Sequence, residues 1–178
     1  MIQKILFLDI DGVLNIMPWK EKLEQMKKDL SEHDFQMALY GLNPHNVENL
    51  KLIIDRTQCQ IVFSTSWRYF EDHHIVGSDW RKSLAKMLKV SKDIFIDSTP
   101  DISFNAGGWD SCYRRRRGLE IKCWIENHTE PGKFKYCVID DEIVDIISII
   151  PKSHVVHTDM KFGLTVKDVD KAVRILND

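Results

Sequence analysis

Short apolar runs alternate along the chain with longer segments in which apolar residues recur every three or four positions. The apolar runs have the length of buried β-strands, and they cover residues 5–8, 60–64, 94–96, 136–139 and 154–157. Strands that alternate with helices in this way are typical of a parallel sheet with helices on both faces. The pattern therefore predicts a three-layer α/β/α fold of the Rossmann type with a mostly parallel five-stranded sheet.

The helical segments carry recognisable ends. Asn43 and Pro44 form an N-cap and first-turn pair ahead of an apolar stripe, and Ser78 can cap the next helix. Thr165 and Asp168 have the spacing of a capping box at the start of the last helix. Further helical stripes are expected over residues 80–88, 119–125 and 143–150.

Length and composition favour one soluble domain. The chain has 178 residues, of which 43% are hydrophobic, so a single domain over residues 1–178 with its own core is expected. The net charge of -2 provides no global basic field, and a polyanion would have to be bound by a local patch. The 4 cysteines lack CxxC spacing and are predicted to be reduced thiols. No segment resembles a signal peptide or a membrane span, which predicts a cytoplasmic protein, although signal-independent secretion would leave no trace.

Polar side chains follow three of the predicted strands at the point where each strand ends. Asp9 and Asp11 follow the first strand, the Ser-Thr-Ser of residues 64–66 follows the second, and Asp140 and Asp141 follow the fourth. Ligands of open parallel sheets bind beyond the carboxyl ends of the strands, so these groups are expected to converge. A glycine directly after Asp11 permits the tight turn that would keep the first two carboxylates at this edge.

A cluster of four carboxylates has a specific chemical implication. The carboxylates repel one another unless a cation compensates them, and oxygen ligands suit a hard ion such as Mg²⁺. One carboxylate can attack the phosphorus of a bound phosphate and form an aspartyl-phosphate. A second one, two residues on, can protonate the leaving oxygen and later deprotonate water. A hydroxyl and a cation would bind the remaining phosphoryl oxygens.

The chain resembles the haloacid dehalogenase (HAD) superfamily of phosphohydrolases in its motifs FLDIDGVLN, IVFSTS and VIDD, which occur in this order. The resemblance implies that Asp9 is the catalytic nucleophile and that Asp11 is the general acid and base. It also implies that a metal binds Asp9, the backbone carbonyl of Asp11, and Asp140 or Asp141. The implied strand order places the first strand between the second and the fourth.

The same resemblance suggests which residues bind phosphate. Thr65 is expected to bind it with Ser66 beside it, and Ser64 is the alternative register. The third motif, a Lys or Arg ahead of a helix, fits Arg117 in RGLEIKCW, with Lys122 as the alternative. Together with STSWR and HTDMKFGLT, this string further resembles the small HAD domains associated with RNA-repair proteins and related standalone phosphatases.

The substrate is expected to be large, because the segments in which many relatives carry a cap domain have little room for one. Residues 16–42 have space for about one amphipathic helix, and residues 98–117 show no sustained periodicity. A site without a large cap admits a phosphate that protrudes from a macromolecule. The first expectation is therefore a protein phosphatase acting on phosphotyrosine or phosphoserine/threonine. A nucleic-acid terminal phosphatase or nucleotidase is the alternative, and a non-catalytic binding module on the same fold is the alternative of a different class.

Two segments near the predicted site have more than one interpretation. The run from Arg114 to Arg117 could be a solvated face, or it could hold a polyanion or an acidic peptide. Trp67 and Arg68 directly follow the hydroxyl motif and could orient substrate. They could equally be a core tryptophan and an arginine paired with a local carboxylate.

Overall fold

The computed structural model describes residues 2–16, 41–68, 80–102, 116–130 and 132–178. Its strands are β1 (Gln3–Leu8), β2 (Gln60–Phe63), β3 (Phe95–Ser98), β4 (Phe134–Asp140) and β5 (Val155–His157). All pairings between them are parallel, and they form one sheet in the order β3-β2-β1-β4-β5. The predicted α/β fold and the central position of β1 are confirmed.

Four α-helices cover the two faces of the sheet in the described part of the chain. They are α1 (Pro44–Thr57), α2 (Trp80–Leu88), α3 (Arg117–His128) and α4 (Val166–Asn177). Buried residues of α1, α2 and α4 pack in one hydrophobic layer, and those of α3 pack in the other. The molecule thus has the three layers that the alternation of apolar runs predicts.

The central strand β1 shows how the sequence produces these two layers. Successive side chains of a strand point to opposite faces, and here both faces are covered by helices. Leu6 and Leu8 belong to the layer with α1, α2 and α4, whereas Ile5 and Phe7 belong to the layer with α3. All four are fully buried, which explains the uninterrupted apolar run.

The predicted helix starts agree with the structure wherever it describes them. The Asn43 side chain accepts a hydrogen bond from the backbone N–H of His45 at 2.9 Å, which caps α1. Thr165 and Asp168 form the capping box of α4, with each side chain bonded to the backbone of the other residue. Ser78, the predicted cap of α2, lies outside the described residues.

The isoleucine stripe of residues 143–150 does not form the predicted α-helix. Only Ile146–Ser148 is helical, as one 3-10 turn. The N–H groups of Ser148 and Ile149 bond to carbonyls three residues back and those of Ile147 and Ile150 to carbonyls four residues back, so the segment has no regular α-helical ladder. The Ser148 hydroxyl also donates to the Asp145 carbonyl and so competes with a regular helix. Of the predicted stripe of Ile143, Ile146, Ile147 and Ile150, only Ile146 and Ile150 are buried, whereas Ile143 is half-buried and Ile147 is exposed. The periodicity therefore identified two buried positions of the segment but not its backbone conformation.

The structure also describes the length of the helices and the state of three cysteines. Within the described residues, no helix combines the length and the apolar character that crossing a membrane requires. Cys59, Cys123 and Cys137 are free thiols, and Cys112 lies outside the described residues. Burial raises the pKa of the Cys59 and Cys137 thiols, which keeps both protonated and unreactive.

Candidate active site

Three carboxylates meet where the central strands end. Asp9 directly follows β1 and is held by a hydrogen bond from its backbone N–H to the carbonyl of Ile139 on β4, at 3.1 Å. Asp140 is the last residue of β4, and Asp141 comes next. Each of these three aspartates offers a carboxylate oxygen, and the three oxygens lie within 4.8 Å of one another. The parallel register of β1 and β4 is what brings these residues together.

Arg117, the first residue of α3, places its guanidinium between two of the carboxylates. Its Nη1 donates to Oδ2 of Asp9 and to Oδ2 of Asp140, both at 2.8 Å. Burial disfavours the charge of the guanidinium, but the two carboxylates outweigh burial and raise the pKa of Arg117. The alternative, Lys122, is exposed and faces Glu126 at 3.7 Å on the surface of the same helix. The geometry therefore supports Arg117 in the third motif.

The electrostatics of the cluster leave negative charge uncompensated. Burial raises the pKa of Asp9 and of Asp140, mutual repulsion adds to the rise for Asp140, and Arg117 only partly opposes it. Burial also raises the pKa of Asp141. Because three carboxylates face one guanidinium and all the donors are oxygens, the cluster fits a hard divalent cation.

Thr65 is the hydroxyl residue that the fold brings to Asp9. Its side chain forms a hydrogen bond with the Asp9 carboxylate, and its Oγ1 accepts the backbone N–H of Trp67 at 3.3 Å. The hydroxyl of Ser64 is buried and has no hydrogen-bond partner among the described residues. Ser66 is exposed at the start of a 3-10 turn, Ser66–Arg68. These positions favour Thr65 over Ser64 as the group that faces a bound phosphate.

Asp11 lies beside the cluster and is held by its own partners. Its Oδ1 accepts a hydrogen bond from Nδ2 of Asn15 at 2.6 Å, and its Oδ2 accepts one from Nε1 of Trp67 at 2.8 Å. The carboxylate is only partly buried. Of the four aspartates that the sequence placed at a metal, Asp11 is thus the one whose side chain does not join the three clustered carboxylates.

Gly12 makes possible the tight turn after β1, which brings the loop of FLDIDGVLN against the loop of VIDD. Its φ of 67° lies in the left-handed region, and a Cβ on this residue would lie 2.4 Å from the carboxyl carbon of Asp141. The turn is further held by Thr158, whose hydroxyl donates to the Gly12 carbonyl at 3.0 Å. Any side chain at this position would push apart the loops that carry Asp11 and Asp141.

Further polar contacts surround the site, and the sequence indicated Arg68 as one partner but not which residues it contacts. Nη2 of Arg68 donates to both carboxylate oxygens of Glu120 on α3, at 2.9 and 3.0 Å. Nη1 of Arg68 donates to the hydroxyl of Thr99, just after β3, at 2.8 Å. This geometry matches the interpretation of Arg68 as the partner of a local carboxylate. Because Glu120 lies one turn after Arg117, the pair also fixes the start of α3.

The remaining arginines of the predicted basic run are described only in part. Arg114 and Arg115 lie outside the described residues. Arg116 donates from Nη1 to the carbonyl of Ile102 at 3.2 Å. This hydrogen bond links the start of α3 to the segment that follows β3.

Comparison with known families agrees with this geometry. A family model described as the HAD domain in Swiss Army Knife RNA repair proteins matches residues 5–169, which include all the aspartates of the site, Thr65 and Arg117. No match was found among curated proteins or among solved structures. Domains of the HAD superfamily are in general phosphatase-type hydrolases that use a divalent metal. The chain therefore belongs to the HAD superfamily, in the family of HAD domains found in Swiss Army Knife RNA repair proteins.

Proposed function

We propose that the chain is a phosphomonoesterase that works through an aspartyl-phosphate on Asp9. The observation that carries this proposal is the position of Asp9 itself. Its buried carboxylate is bonded to Arg117 and to the Thr65 hydroxyl, and the carboxylate of Asp11 is held nearby. A nucleophile, two phosphate-binding groups and a proton donor are thus available at one edge of the sheet.

In the first step, an oxygen of Asp9 attacks phosphorus and forms the new P–O bond. The bond from phosphorus to the leaving oxygen breaks, and that oxygen takes a proton from Asp11. Arg117 and Thr65 face the phosphoryl oxygens and stabilise the charge that develops on them. The product alcohol leaves, and Asp11 is now ionised.

In the second step, water attacks the phosphorus of the aspartyl-phosphate. Asp11 takes a proton from that water, and the P–O bond to Asp9 breaks. Inorganic phosphate is released, Asp9 is again a carboxylate, and Asp11 has regained its proton. One residue serves first as acid and then as base, as the two half-reactions require.

Asp9, Asp140 and Asp141, with the carbonyl of Asp11, would hold the metal, which we propose to be Mg²⁺. When bound, the ion supplies positive charge that draws the phosphate to Asp9 and lowers the repulsion between the two anions. The fit rests on the three clustered oxygens and on the excess of carboxylates over cations at the site.

Membership of the family favours a nucleic-acid end as the phosphorylated substrate. The chain belongs to the HAD domains found in Swiss Army Knife RNA repair proteins. We therefore propose a terminal phosphate of RNA or DNA ahead of a phosphoprotein, which reverses the order of the two expectations drawn from the sequence. A cytoplasmic, single-domain protein remains our expectation for the chain as a whole.

One comparison of substrates tests the proposal. Turnover with Mg²⁺ would be measured on 3′- and 5′-phosphorylated oligonucleotides, phosphotyrosine and phosphoserine peptides, nucleoside monophosphates and 4-nitrophenyl phosphate. Asp9→Asn serves as the inactive control in every assay. We expect the highest kcat/KM on an oligonucleotide end. Preference for a peptide would restore the phosphoprotein expectation, and no Asp9-dependent turnover on any substrate would leave a non-catalytic binding module.

A further inference from the structure

We propose that Trp67 and Asn15 are positioning residues for proton transfer, because they fix the carboxylate of Asp11 from both of its oxygens. This inference rests on the proposed function, in which Asp11 is the general acid and base. Neither residue contacts the nucleophile's carboxylate in the described hydrogen bonds. Their part in the reaction is to act through Asp11.

The contact from Trp67 joins the second motif to the first. Trp67 lies in the 3-10 turn after β2, and its backbone N–H is held by the hydroxyl of Thr65 at 3.3 Å. From there its indole N–H reaches 56 positions back along the chain to Oδ2 of Asp11, at 2.8 Å. The same short turn therefore orients the phosphate-binding hydroxyl and the donor to the acid.

The contact from Asn15 closes the loop that follows β1. The backbone N–H of Asn15 donates to the carbonyl of Ile10 at 3.1 Å, and its own carbonyl accepts the N–H of Gly12 at 2.9 Å. This fold of the loop directs Nδ2 of Asn15 to Oδ1 of Asp11 at 2.6 Å. Asn15 is buried, with 2% of its surface exposed, so its amide has little freedom to turn away.

Two donors on two oxygens set the plane of the carboxylate. An ionised carboxylate has about four lone-pair sites, and an indole N–H can only donate. Trp67 and Asn15 take one site on each oxygen, so the proton that Asp11 transfers does not occupy either of these two sites. The two contacts thereby restrict the directions from which Asp11 meets the leaving oxygen and the attacking water.

Trp67 also packs in the core, so a structural role must be separated from the proposed one. Its ring lies 5.7 Å from the ring of Trp80, at an interplanar angle of 83°, and it is 6% exposed. Loss of packing would lower stability and would slow the reaction equally for every substrate. Loss of the orientation of Asp11 would instead lower kcat/KM most for the esters whose leaving oxygen is most basic.

The experiment compares Trp67→Phe with the wild-type chain on a series of phosphate esters. The leaving groups run from 4-nitrophenol, which needs little protonation, to phenol and then to a simple alcohol. The parameter kcat/KM is used because it covers the reaction up to the departure of the leaving group, before the aspartyl-phosphate is hydrolysed. We expect Trp67→Phe to lose about tenfold on the alkyl ester, a part of the 10²–10⁴-fold that a general acid contributes. We expect about twofold or less on 4-nitrophenyl phosphate.

Trp124→Phe is the matched control. Trp124 is also buried, and its indole N–H also donates to an aspartate, Oδ2 of Asp97, at 2.6 Å. The substitution removes the same kind of hydrogen bond away from Asp11. It should lower Tm to a similar extent and leave the dependence on the leaving group unchanged.

Asn15→Ala provides the second test, which is needed if Trp67→Phe does not fold. It removes the donor on the other oxygen and should steepen the dependence on the leaving group in the same direction. A uniform loss over all esters in both variants, with turnover still dependent on Asp9 and Asp11, would overturn this inference and leave the proposed function intact. Absence of any Asp9-dependent turnover in the wild-type chain would instead overturn the proposed function.

Discussion

Two arginines of this chain face buried carboxylates, and their surroundings differ in charge balance. Arg117 donates from one nitrogen to Asp9 and to Asp140, at 2.8 Å each. Arg68 donates to both oxygens of Glu120, at 2.9 and 3.0 Å. The first guanidinium faces several carboxylates that it only partly compensates, whereas the second, among the contacts described for it, forms a two-point ion pair with the carboxylate of Glu120.

This difference distinguishes a group of carboxylates whose charge is available to a bound cation from an ion pair that holds two segments of the fold together. Uncompensated carboxylates raise one another's pKa and destabilise the folded state, and a metal and a phosphate group can use that charge. The pair of Arg68 and Glu120 links the segment after β2 to α3 and contributes to the position of Arg117. Substitutions at Asp9 or Arg117 should therefore reduce activity more than stability, whereas a substitution in the pair of Arg68 and Glu120 should reduce stability more than activity.

The largest expected effect is the loss of activity in Asp9→Asn. Turnover should fall roughly 10⁴–10⁶-fold, as for the removal of groups that act as a catalytic unit. Because burial raises the pKa of Asp9, its ionised form is unfavourable in the folded state near neutral pH, and a neutral side chain removes that penalty. In EDTA at pH 7.5 we therefore expect Tm to be unchanged or higher. Turnover near the wild-type rate would contradict a covalent mechanism on this residue.

Arg117→Ala should reduce kcat on every substrate by roughly 10²–10³-fold, as when a group that stabilises transition-state charge is removed. Lys122→Ala is its control, because Lys122 is exposed on the same helix and should leave kcat within about twofold. Steady-state kinetics on an aryl and an alkyl phosphate would measure both variants. The opposite result, an unchanged kcat in Arg117→Ala and a loss of kcat in Lys122→Ala, would assign the third-motif role to Lys122.

Glu120→Gln should affect stability first and activity second. The substitution leaves Arg68 without the charge of its buried partner. Because burial raises the pKa of Glu120 despite that arginine, the neutral amide offsets part of the loss, and we expect the free energy of unfolding to fall by about 1–2 kcal/mol. Glu126→Gln, on the exposed face of α3, should change it by about 0.5 kcal/mol or less. Urea denaturation in EDTA measures both. An equal effect of the two variants would show that the Arg68 pair does not hold α3.

The smallest expected effect is a shift of Tm by Mg²⁺ that depends on pH. Folded carboxyl groups with raised pKa values contribute stability below their unfolded pKa, about 3.9, and that stability is lost as pH rises through the folded pKa. The metal binds the ionised carboxylates and so restores stability where it was lost, by about 1.4 kcal/mol at ten times Kd.

Thermal unfolding with and without Mg²⁺ would therefore show a larger rise of Tm at pH 7.5 than at pH 5. The variant Asp141→Asn, which removes one of the three clustered oxygens, should weaken the rise at pH 7.5. A rise that is equal at both pH values would mean that the ion binds elsewhere.

Much of the fold and the centre of the site follow from short-range patterns. Apolar runs locate strands because buried parallel strands need apolar side chains on both faces, as Ile5 and Leu6 show. The convergence of Asp9 and Asp140 follows from the rule that ligands bind at the carboxyl ends of parallel strands, while the adjacency of β1 and β4 is what the family resemblance implies and the structure shows. Capping residues such as Thr165 predicted a helix start because their chemistry is local.

The contacts that the sequence did not predict join distant parts of the chain. Trp67 and Asp11 are separated by 56 positions, and Arg68 and Glu120 by 52. Such pairs depend on the rotation of a helix or turn against the sheet, and no periodicity in one segment carries that information. The sequence therefore leaves the role of Trp67 open between packing and function, whereas the structure shows its ring packed against Trp80 and its indole N–H bonded to Asp11.

The central position of β1 also has a consequence for the motions of the site. In the described sheet β1 is bonded on both sides, and the backbone N–H of Asp9 continues this ladder to Ile139. Amides in the middle of a sheet exchange with deuterium only when the whole domain opens, whereas loop amides exchange through local fluctuations. We expect the Asp9 amide to be among the last to exchange. The Lys161 amide, which lies in an exposed turn and donates to the exposed side chain of Asp159, should be among the early ones. The backbone of Asp9 would then keep its position for as long as the domain stays folded, while exposed turns such as the one that carries Lys161 fluctuate locally.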